Sequence, residues 1–468
     1  MLIMVLLVNL LLSIIILMYN ITAFWKIIFV GAFVLISACV TNDKQKNVEQ
    51  VNDLNDNEKM VNVEDKSVTA PNTLSDCANG LKAGRWRAFL TFNETQKIPF
   101  NFDVVNNNNN NCEIVIINGD ERISVNEITQ NGKEIAIKLP FYNSEIKGQF
   151  NEKRIFGNWH NYAKGPDYKI AFYAAYGDSS RFYTGVVDDL PDVNGKWEVV
   201  FMSDDKKSKT DAIAEFKQNG THVTGTFLTP TGDYRFLEGN VSEKELMLSC
   251  FDGAHAFLFI GQIKPSGDIM GDFWSGSHFH EIWLAFKADE PQPLPDPNAI
   301  TNLINKKLPI NFAYPNMKGE MVSLKDKKYQ DKVVMLQIMG SWCPNCKDET
   351  TLYTQWYNKY HSKGLEIIAL AFENSDNLET TKPILIRYCK QLGVNYEMLL
   401  AGKASKKAAS EAFPMLNKIT SFPTTIFIDK QGNIRQTHTG FNGPATSEYQ
   451  DFVQQTEMFI EALLDENS

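Results

Sequence analysis

The apolar run Val333 to Met339 leads into Gly340-Ser341-Trp342-Cys343-Pro344-Asn345-Cys346, and a segment of helical periodicity, Lys347 to His361, follows directly. A continuous apolar run of this length fits a central strand buried on both faces. Pro344 suits the first turn of a helix, where a missing N–H leaves nothing unsatisfied. The two cysteines therefore lie at a strand-to-helix turn, spaced so that they can close a small disulfide ring. The first sulfur lies near free backbone N–H groups and the positive end of the helix dipole, which favour its thiolate. Cys343 is accordingly the candidate nucleophile, forming a mixed disulfide with its substrate. Cys346, a turn further in and less exposed, then attacks Cys343 and releases the reduced product. A lone CxxC also serves as a structural disulfide or as half a zinc site. Zinc would need two more ligands, and the sequence offers no second CxxC and no His pair nearby.

Residues 306–468 continue with α/β periodicity. Glu366 to Phe372 reads as a second strand, and Thr381 to Leu392 and Lys403 to Leu416 read as helices. Thr424 to Ile428 and Ile434 to Thr437 form a hairpin over Asp429-Lys430-Gln431-Gly432-Asn433, and Ser447 to Leu464 closes the domain as a helix. With Trp342-Cys343-Pro344-Asn345-Cys346, Phe422-Pro423-Thr424-Thr425 before Ile426-Phe427-Ile428-Asp429, and a leading segment Ile310 to Leu324 that turns near Asn316 to Gly319, this part of the chain resembles the thioredoxin superfamily. Within it, the order of motifs is similar to the TlpA/ResA-type lipid-anchored thiol–disulfide oxidoreductases. The resemblance covers roughly a third of the chain. It implies a cis Pro423 facing the cysteine pair, with the Phe422 backbone free to pair with an extended substrate. It also implies that Trp342 shields one side of the site, and it calls for no cofactor. Peroxiredoxins share the fold, but their Pro-x-x-x-Thr-x-x arrangement before the cysteine is replaced here by Met339-Gly340-Ser341-Trp342. One departure stands out. Thioredoxins carry a buried Asp six residues before the first Cys, and here that position is Gln337. Glu373, at the end of the second strand, is a candidate proton shuttle, since related oxidoreductases carry a Glu close to this point; the competing reading is an exposed strand-end residue. Asp348 and Glu349 read as charges matched to the helix dipole.

Residues 76–287 read as β. Trp86 to Phe92, Glu113 to Ile117, Glu134 to Ile137, Glu198 to Met202, His222 to Phe227, Glu245 to Ser249 and Ile282 to Phe286 alternate, with turn signals at Asn131-Gly132, Asn219-Gly220 and Thr231-Gly232-Asp233. A weak repeat runs through them. Gly84-Arg85-Trp86 is echoed by Gly195-Lys196-Trp197, and Gly157-Asn158-Trp159 by Gly271-Asp272-Phe273-Trp274, at offsets of 111 and 114 residues. The period is too long for a solenoid. The expected fold class is thus multidomain: an all-β domain, a duplicated meander packed as a barrel or sandwich, followed by an α/β thioredoxin-like domain. His278 and His280 alternate on one strand face; without a third ligand at a known spacing, a solvated face is the simpler reading than a metal site. Residues 288–305, with Pro291, Pro293, Pro295 and Pro297, predict a stiff extended linker that keeps the two folded parts at a defined distance.

Residues 1–38 carry one charge, Lys26, and are otherwise almost all apolar. A transmembrane helix is one reading. The other starts at Met18, with a short n-region to Lys26, an h-region from Ile27 to Ile36 and then Ile36-Ser37-Ala38-Cys39. That ending resembles a bacterial lipobox, which implies cleavage before Cys39, lipid on Cys39, and a location in the cell envelope. Residues 39–75 are polar and lack aromatic residues, as expected of a lipid-anchored flexible tether. Of seven cysteines, Cys39 goes to lipid and Cys343 pairs with Cys346. Cys77, Cys112, Cys250 and Cys389 stay open, with Cys389 read as a buried apolar residue. The net charge of −10, without a basic run, gives no nucleic-acid footprint.

The partners expected are disulfide-bearing exported proteins, a membrane thiol electron donor and, through Cys39, the lipid bilayer. The alternative is a ligand- or partner-binding envelope lipoprotein in which the CxxC is a sensor or a structural clasp. Reductase, isomerase and oxidase share the fold and differ in potential, so the sequence leaves the direction open.

Overall fold

The structure is a computed structural model and describes residues 80–106, 112–183, 185 and 189–466. The expectations for residues 1–38, for Cys39, for the tether and for Cys77 lie outside the described residues. Among those described, no helix is long and apolar enough to cross a membrane.

The first nine strands are β1 (Gly84–Thr91), β2 (Lys97–Asn106), β3 (Cys112–Asn118), β4 (Glu121–Val125), β5 (Glu127–Asn131), β6 (Glu134–Lys138), β7 (Ser144–Asn151), β8 (Arg154–Asn161) and β9 (Lys169–Tyr176). They form one antiparallel sheet in the order β4-β3-β2-β1-β9-β8-β7-β6-β5. The next nine are β10 (Gly195–Ser203), β11 (Lys209–Asn219), β12 (His222–Thr229), β13 (Gly232–Asp233), β14 (Leu237–Val241), β15 (Glu245–Phe251), β16 (Ala256–Ile263), β17 (Ile269–Ser275) and β18 (Phe279–Lys287). Every pairing of the first set recurs in the second, and β12 also pairs with β14, so the second sheet closes into a barrel. The second half has a core of its own inside the barrel, while the core of the first sheet also takes in Phe251, Ala256 and Leu258 from β15 and β16, so the first sheet packs on the outside of the barrel.

The repeated residues explain the repeated topology. Trp86 and Trp197 are buried, and each indole donates to the carbonyl four residues earlier, Lys82 at 2.9 Å and Val193 at 3.0 Å. Gly148 faces Gly157 across β7 and β8, and Gly261 faces Gly271 across β16 and β17. A Cβ on Gly157 would lie 2.1 Å from the Lys147 carbonyl oxygen, and one on Gly271 2.0 Å from that of Ile260. The strands approach too closely there for any side chain. The buried counterpart of Trp159 is Phe273, whereas Trp274 points out of its barrel and packs against Phe92 of the first half, 6.3 Å between centroids. Arg181, on the connection between halves, ties them together. Its guanidinium donates to the Ile117 carbonyl, Asn118 Oδ1 and Glu238 Oε2 and to the Ser249 carbonyl and Oγ, all within 3.1 Å. Cys112 is disulfide-bonded, while Cys250, Cys343, Cys346 and Cys389 are free thiols.

The stiff spacer expected at 288–305 is not what forms. A short helix, α1 (Pro297–Ile300), packs onto the C-terminal α/β domain, where Asn298 Oδ1 lies 2.9 Å from His438 Nδ1. The two folded parts touch directly, as described below.

Residues from 310 on contain β19 (Tyr314–Pro315), β20 (Met321–Val322), β21 (Val333–Met339), α2 (Pro344–Tyr360), β22 (Leu365–Glu373), α3 (Leu378–Leu392), β23 (Glu397–Lys403), α4 (Lys406–Ala412), β24 (Thr424–Ile428), β25 (Ile434–Thr439) and α5 (Tyr449–Asp465). β19 and β20 make the leading hairpin. The main sheet runs β23-β22-β21-β24-β25, with β21 parallel to β22 and antiparallel to β24. β21 is buried along its whole length, as its apolar run requires. Strand β23 has no counterpart among the elements expected from the sequence, where the helices at 381–392 and 403–416 follow one another directly.

Gly271→Ala is expected to cost about 1–3 kcal/mol through forced displacement of the β16 backbone. Gly267→Ala, where nothing lies within 4 Å of the new methyl, meets only the milder penalty of its φ of +91°. Urea midpoints of the two variants check the difference.

Candidate redox site

Cys343 caps α2. Its sulfur accepts from the Cys346 N–H at 3.3 Å and lies 3.5 Å from the Phe422 carbonyl oxygen. Cys343 is 7% exposed and Cys346 is fully buried, so one sulfur meets incoming groups and the other waits behind it. Burial, together with the adjacent Cys343, pushes the Cys346 thiol far above its ordinary value. The Phe422–Pro423 bond is cis. The Trp342 indole donates to the Phe372 carbonyl at 2.9 Å and stands edge-on to Phe422 at 5.6 Å. Gly340 is required beneath it, since a Cβ there would sit 2.3 Å from the indole nitrogen.

Glu373 is not an exposed strand end. It is buried, and both its oxygens accept from Ser341, from the N–H at 2.6 Å and from Oγ at 2.8 Å. Burial raises its carboxyl to about 7. It reaches the cysteine pair only through Ser341.

Glu349 and Asp348 correct the dipole reading, for both are buried and partnered. Glu349 accepts from Gln337 Nε2 at 2.8 Å, Tyr353 Oη at 3.0 Å and Thr425 Oγ1 at 3.1 Å. Burial pushes its carboxyl up to about 7 against those hydrogen bonds, and its charge is felt at Cys346. The sequence signal was available: Glu349 lies three residues after Cys346, on the same face of α2 as the buried sulfur. Gln337, which stands where thioredoxins carry a buried Asp, instead orients the carboxylate on the facing helix.

The turn after β12 docks on this centre. Asn345 Nδ2, between the cysteines, donates to the Asp233 carbonyl and Oδ1, both at 3.1 Å, and to the Phe441 carbonyl at 3.0 Å. The Gly443 N–H donates to Asp233 Oδ2 at 3.1 Å, and Ser421 Oγ to the Thr231 carbonyl at 3.1 Å. Arg235, 1% exposed, approaches the Pro344 carbonyl oxygen at 3.4 Å, pairs with Asp348 and Glu121, and lies 3.2 Å from Asp252 Oδ2. Burial alone would lower the Arg235 pKa, but Glu121 and its neighbours more than offset it. Burial raises the Asp233 carboxyl to about 6. Nothing in the sequence marked Arg235, a lone basic residue after a turn.

His280 lies 2.5 Å from Asp204 Oδ1 and 2.9 Å from Asp272 Oδ1, whereas His278 meets Lys164 and Tyr168. No group of metal-ligating side chains is found among the described residues. Cys389 is half-buried, and burial pushes its thiol to about 11.

A family model described as AhpC/TSA family matches residues 304–437. A "Thiol-disulfide oxidoreductase ResA" of Bacillus cereus is 30% identical over 131 residues, which is 28% of this chain and 66% of that protein. The protein of the same name in Bacillus subtilis is 28% identical over 130 residues, 28% of this chain and 64% of that one. The match thus spans a little under two thirds of these relatives' length. Among solved structures, a putative thiol:disulfide interchange protein DsbE from Chlorobium tepidum is 23% identical, with a TM-score of 0.27, covering 35% of this chain and 98% of that one.

Arg235→Met leaves Glu121, Asp252 and Asp348 buried without their shared cation. Removing one partner of a buried ion group costs about 3–5 kcal/mol, so the urea midpoint is expected to fall steeply and Cys343 alkylation to accelerate.

Proposed function

The C-terminal part of this chain is a thioredoxin-superfamily domain of the TlpA/ResA type, and from that we propose that the protein is a cell-envelope thiol–disulfide oxidoreductase that reduces disulfides of exported proteins through Cys343 and Cys346. The observation that carries the reading is the asymmetry of the pair: one sulfur at the helix start, 7% exposed, and its partner fully buried behind it.

The Cys343 thiolate attacks one substrate sulfur. An S–S bond forms between them, the substrate's own S–S bond breaks, and the departing sulfur takes a proton. Cys346 then loses its proton and attacks Cys343 Sγ, which frees the second substrate thiol. The substrate gains two electrons and two protons, and the pair ends as a disulfide. A membrane thiol donor returns it to the dithiol. Pro423 and Phe422 form the wall beside Cys343, and the Phe422 backbone pairs with the extended substrate. Trp342 shields the adjoining side.

Glu349 is the proton acceptor for Cys346. It is the buried carboxyl whose charge reaches that sulfur, and a value near 7 lets it take a proton at neutral pH. Glu373 is a positioning residue that holds Ser341 and, through it, the Trp342–Cys343 turn. Cys39 carries the lipid that anchors the chain to the membrane facing the periplasm. A peroxidase reading has nothing to rest on before Cys343, where Met339-Gly340-Ser341-Trp342 stands.

Cys346→Ser is expected to accumulate a mixed disulfide through Cys343, and Cys343→Ser to lose all exchange with hydroxyethyl disulfide. A reduction potential of about −270 mV, as in thioredoxin, supports a reductase, and one of about −120 mV makes the protein an oxidant instead. Glu349→Gln is expected to remove an inflection near pH 7 from the rate of product release while Glu373→Gln retains it. Retention in both variants would take Glu349 out of the proton path.

A further inference from the structure

A cleft of about 480 Å³ opens beside Trp342, between the redox domain and both halves of the β region. Trp342 and Asn374 form one wall. Tyr234, His255, Lys164 and Phe279 are among the residues of the other, and no carboxylate of the described residues lines the cleft. That is unusual placement in a chain of net charge −10. Lys164 sits on the β8–β9 turn next to Ala163, whose carbonyl accepts from Asn374 Nδ2 at 2.7 Å, so the ammonium is held at the seam itself. Its Nζ lies 3.2 Å from His278 Nε2 and 5.3 Å from the Tyr168 ring centroid, and it forms no ion pair among the described residues. Burial lowers it to about 8, with Asp252 opposing, so it is charged at neutral pH.

The approach from the other side is closed. Thr231 to Arg235 lie against Ser421, Asn345 and Gly443, the loops that frame Cys343. A Cβ on Gly440 would meet the Thr231 backbone at 2.6 Å, and one on Gly232 would meet Asn345 Nδ2 at 2.5 Å. A broad folded surface cannot reach Cys343 past a contact this tight without displacing it. A single extended segment can enter along the Trp342 cleft, whose far wall begins at Tyr234 of the same turn.

Resting on the redox reading above, we propose that this cleft is the entry subsite for the substrate. It takes an extended chain segment that carries a carboxylate close to the attacked cysteine, and Lys164 recognises that carboxylate. Aromatic faces of Tyr234, Phe279 and Trp342 hold the apolar part of the segment. The acidic exterior repels such a segment elsewhere, and the cation in a carboxylate-free cleft reverses the local field. The turn 229–235 excludes disulfides embedded in a folded surface.

The test uses the full chain with matched peptide disulfides that differ only in Asp, Asn or Lys beside the cysteine, and with one disulfide of a folded protein. Exchange with neutral hydroxyethyl disulfide is measured first. No exchange there would overturn the redox reading itself and the subsite with it. With that activity present, the wild type is expected to favour the Asp peptide over the Asn peptide by about fivefold in kcat/KM, the scale of one partly exposed ion pair. Lys164→Gln is expected to abolish the preference, Lys164→Arg to restore it and Lys164→Glu to turn it toward the Lys peptide. All three variants should keep wild-type exchange with hydroxyethyl disulfide. The folded protein is expected to react more slowly than its own unfolded, disulfide-intact form. Equal rates for Asp and Asn peptides in the wild type, or a preference unchanged in Lys164→Gln, would overturn the subsite; equal rates for folded and unfolded protein would overturn the closed flank. Glutathione disulfide separates the two sources of such a carboxylate. The proposal expects it to react more slowly than the Asp peptide, and a faster reaction would replace the chain segment with a small anionic disulfide.

Discussion

The guanidinium of Arg235 is out of contact with water, yet it holds together three parts of the chain. Glu121 comes from the first β-half, Arg235 and Asp252 from the second, and Asp348 from the helix that carries the cysteines. A charge buried alone costs several kcal/mol, and a buried pair repays this only with good geometry on every side. Glu121 and Asp348 therefore both draw on a cation that belongs to another part of the chain. The excess of carboxylate is met locally, by Lys347 at 2.9 Å from Asp348 and by His255 at 3.4 Å from Asp252. Burial, with Arg235 nearby, lowers Lys347 to about 8, while Glu121 and Asp252 oppose the shift. Arg235 also adopts a φ of +59°, a conformation uncommon for a residue with a side chain, and the cluster keeps it there.

That constraint changes what the β region is. A spacer would leave the redox domain free to turn toward any partner. Here the two residues between the cysteines have β-region partners, Arg235 at the Pro344 carbonyl and Asp233 at the Asn345 amide. The potential of a CxxC pair depends on those two residues and on their surroundings. The surroundings of this pair are thus built by two folded parts, and the short connection through α1, fixed to β25 by Asn298, keeps them in register.

Features written in contiguous residues were legible in the sequence. Val333 to Met339, the CxxC, the Phe422-Pro423 turn and the 429–433 hairpin each declare themselves locally. So did the paired Gly-Trp marks, because close strand approach and a buried indole leave few alternatives. Features decided by distant neighbours were not legible. Glu349 looked like a first-turn charge, and only Gln337 on β21 and Thr425 on β24 make it a buried acid. The prolines of 288–305 suggest an extended spacer, but local chemistry could not show that the parts on either side are held together by a charge cluster elsewhere.

Gln337 and Glu349 together explain how a single buried acid is kept usable. Burial alone favours the protonated form of Glu349, while hydrogen bonds from Gln337, Tyr353 and Thr425 favour the ionised form. The balance near 7 comes from that opposition. A carboxylate at position 337 would lie within hydrogen-bonding distance of Glu349, and two like charges at that range cannot both ionise. One of them would hold its proton well above neutral pH, and the pair would titrate as a unit. An amide at 337 supplies a donor where a second acid would supply repulsion. The acid whose charge reaches the buried sulfur can therefore reside on the helix rather than the strand and still hold a value near 7, as the proton path proposed above requires.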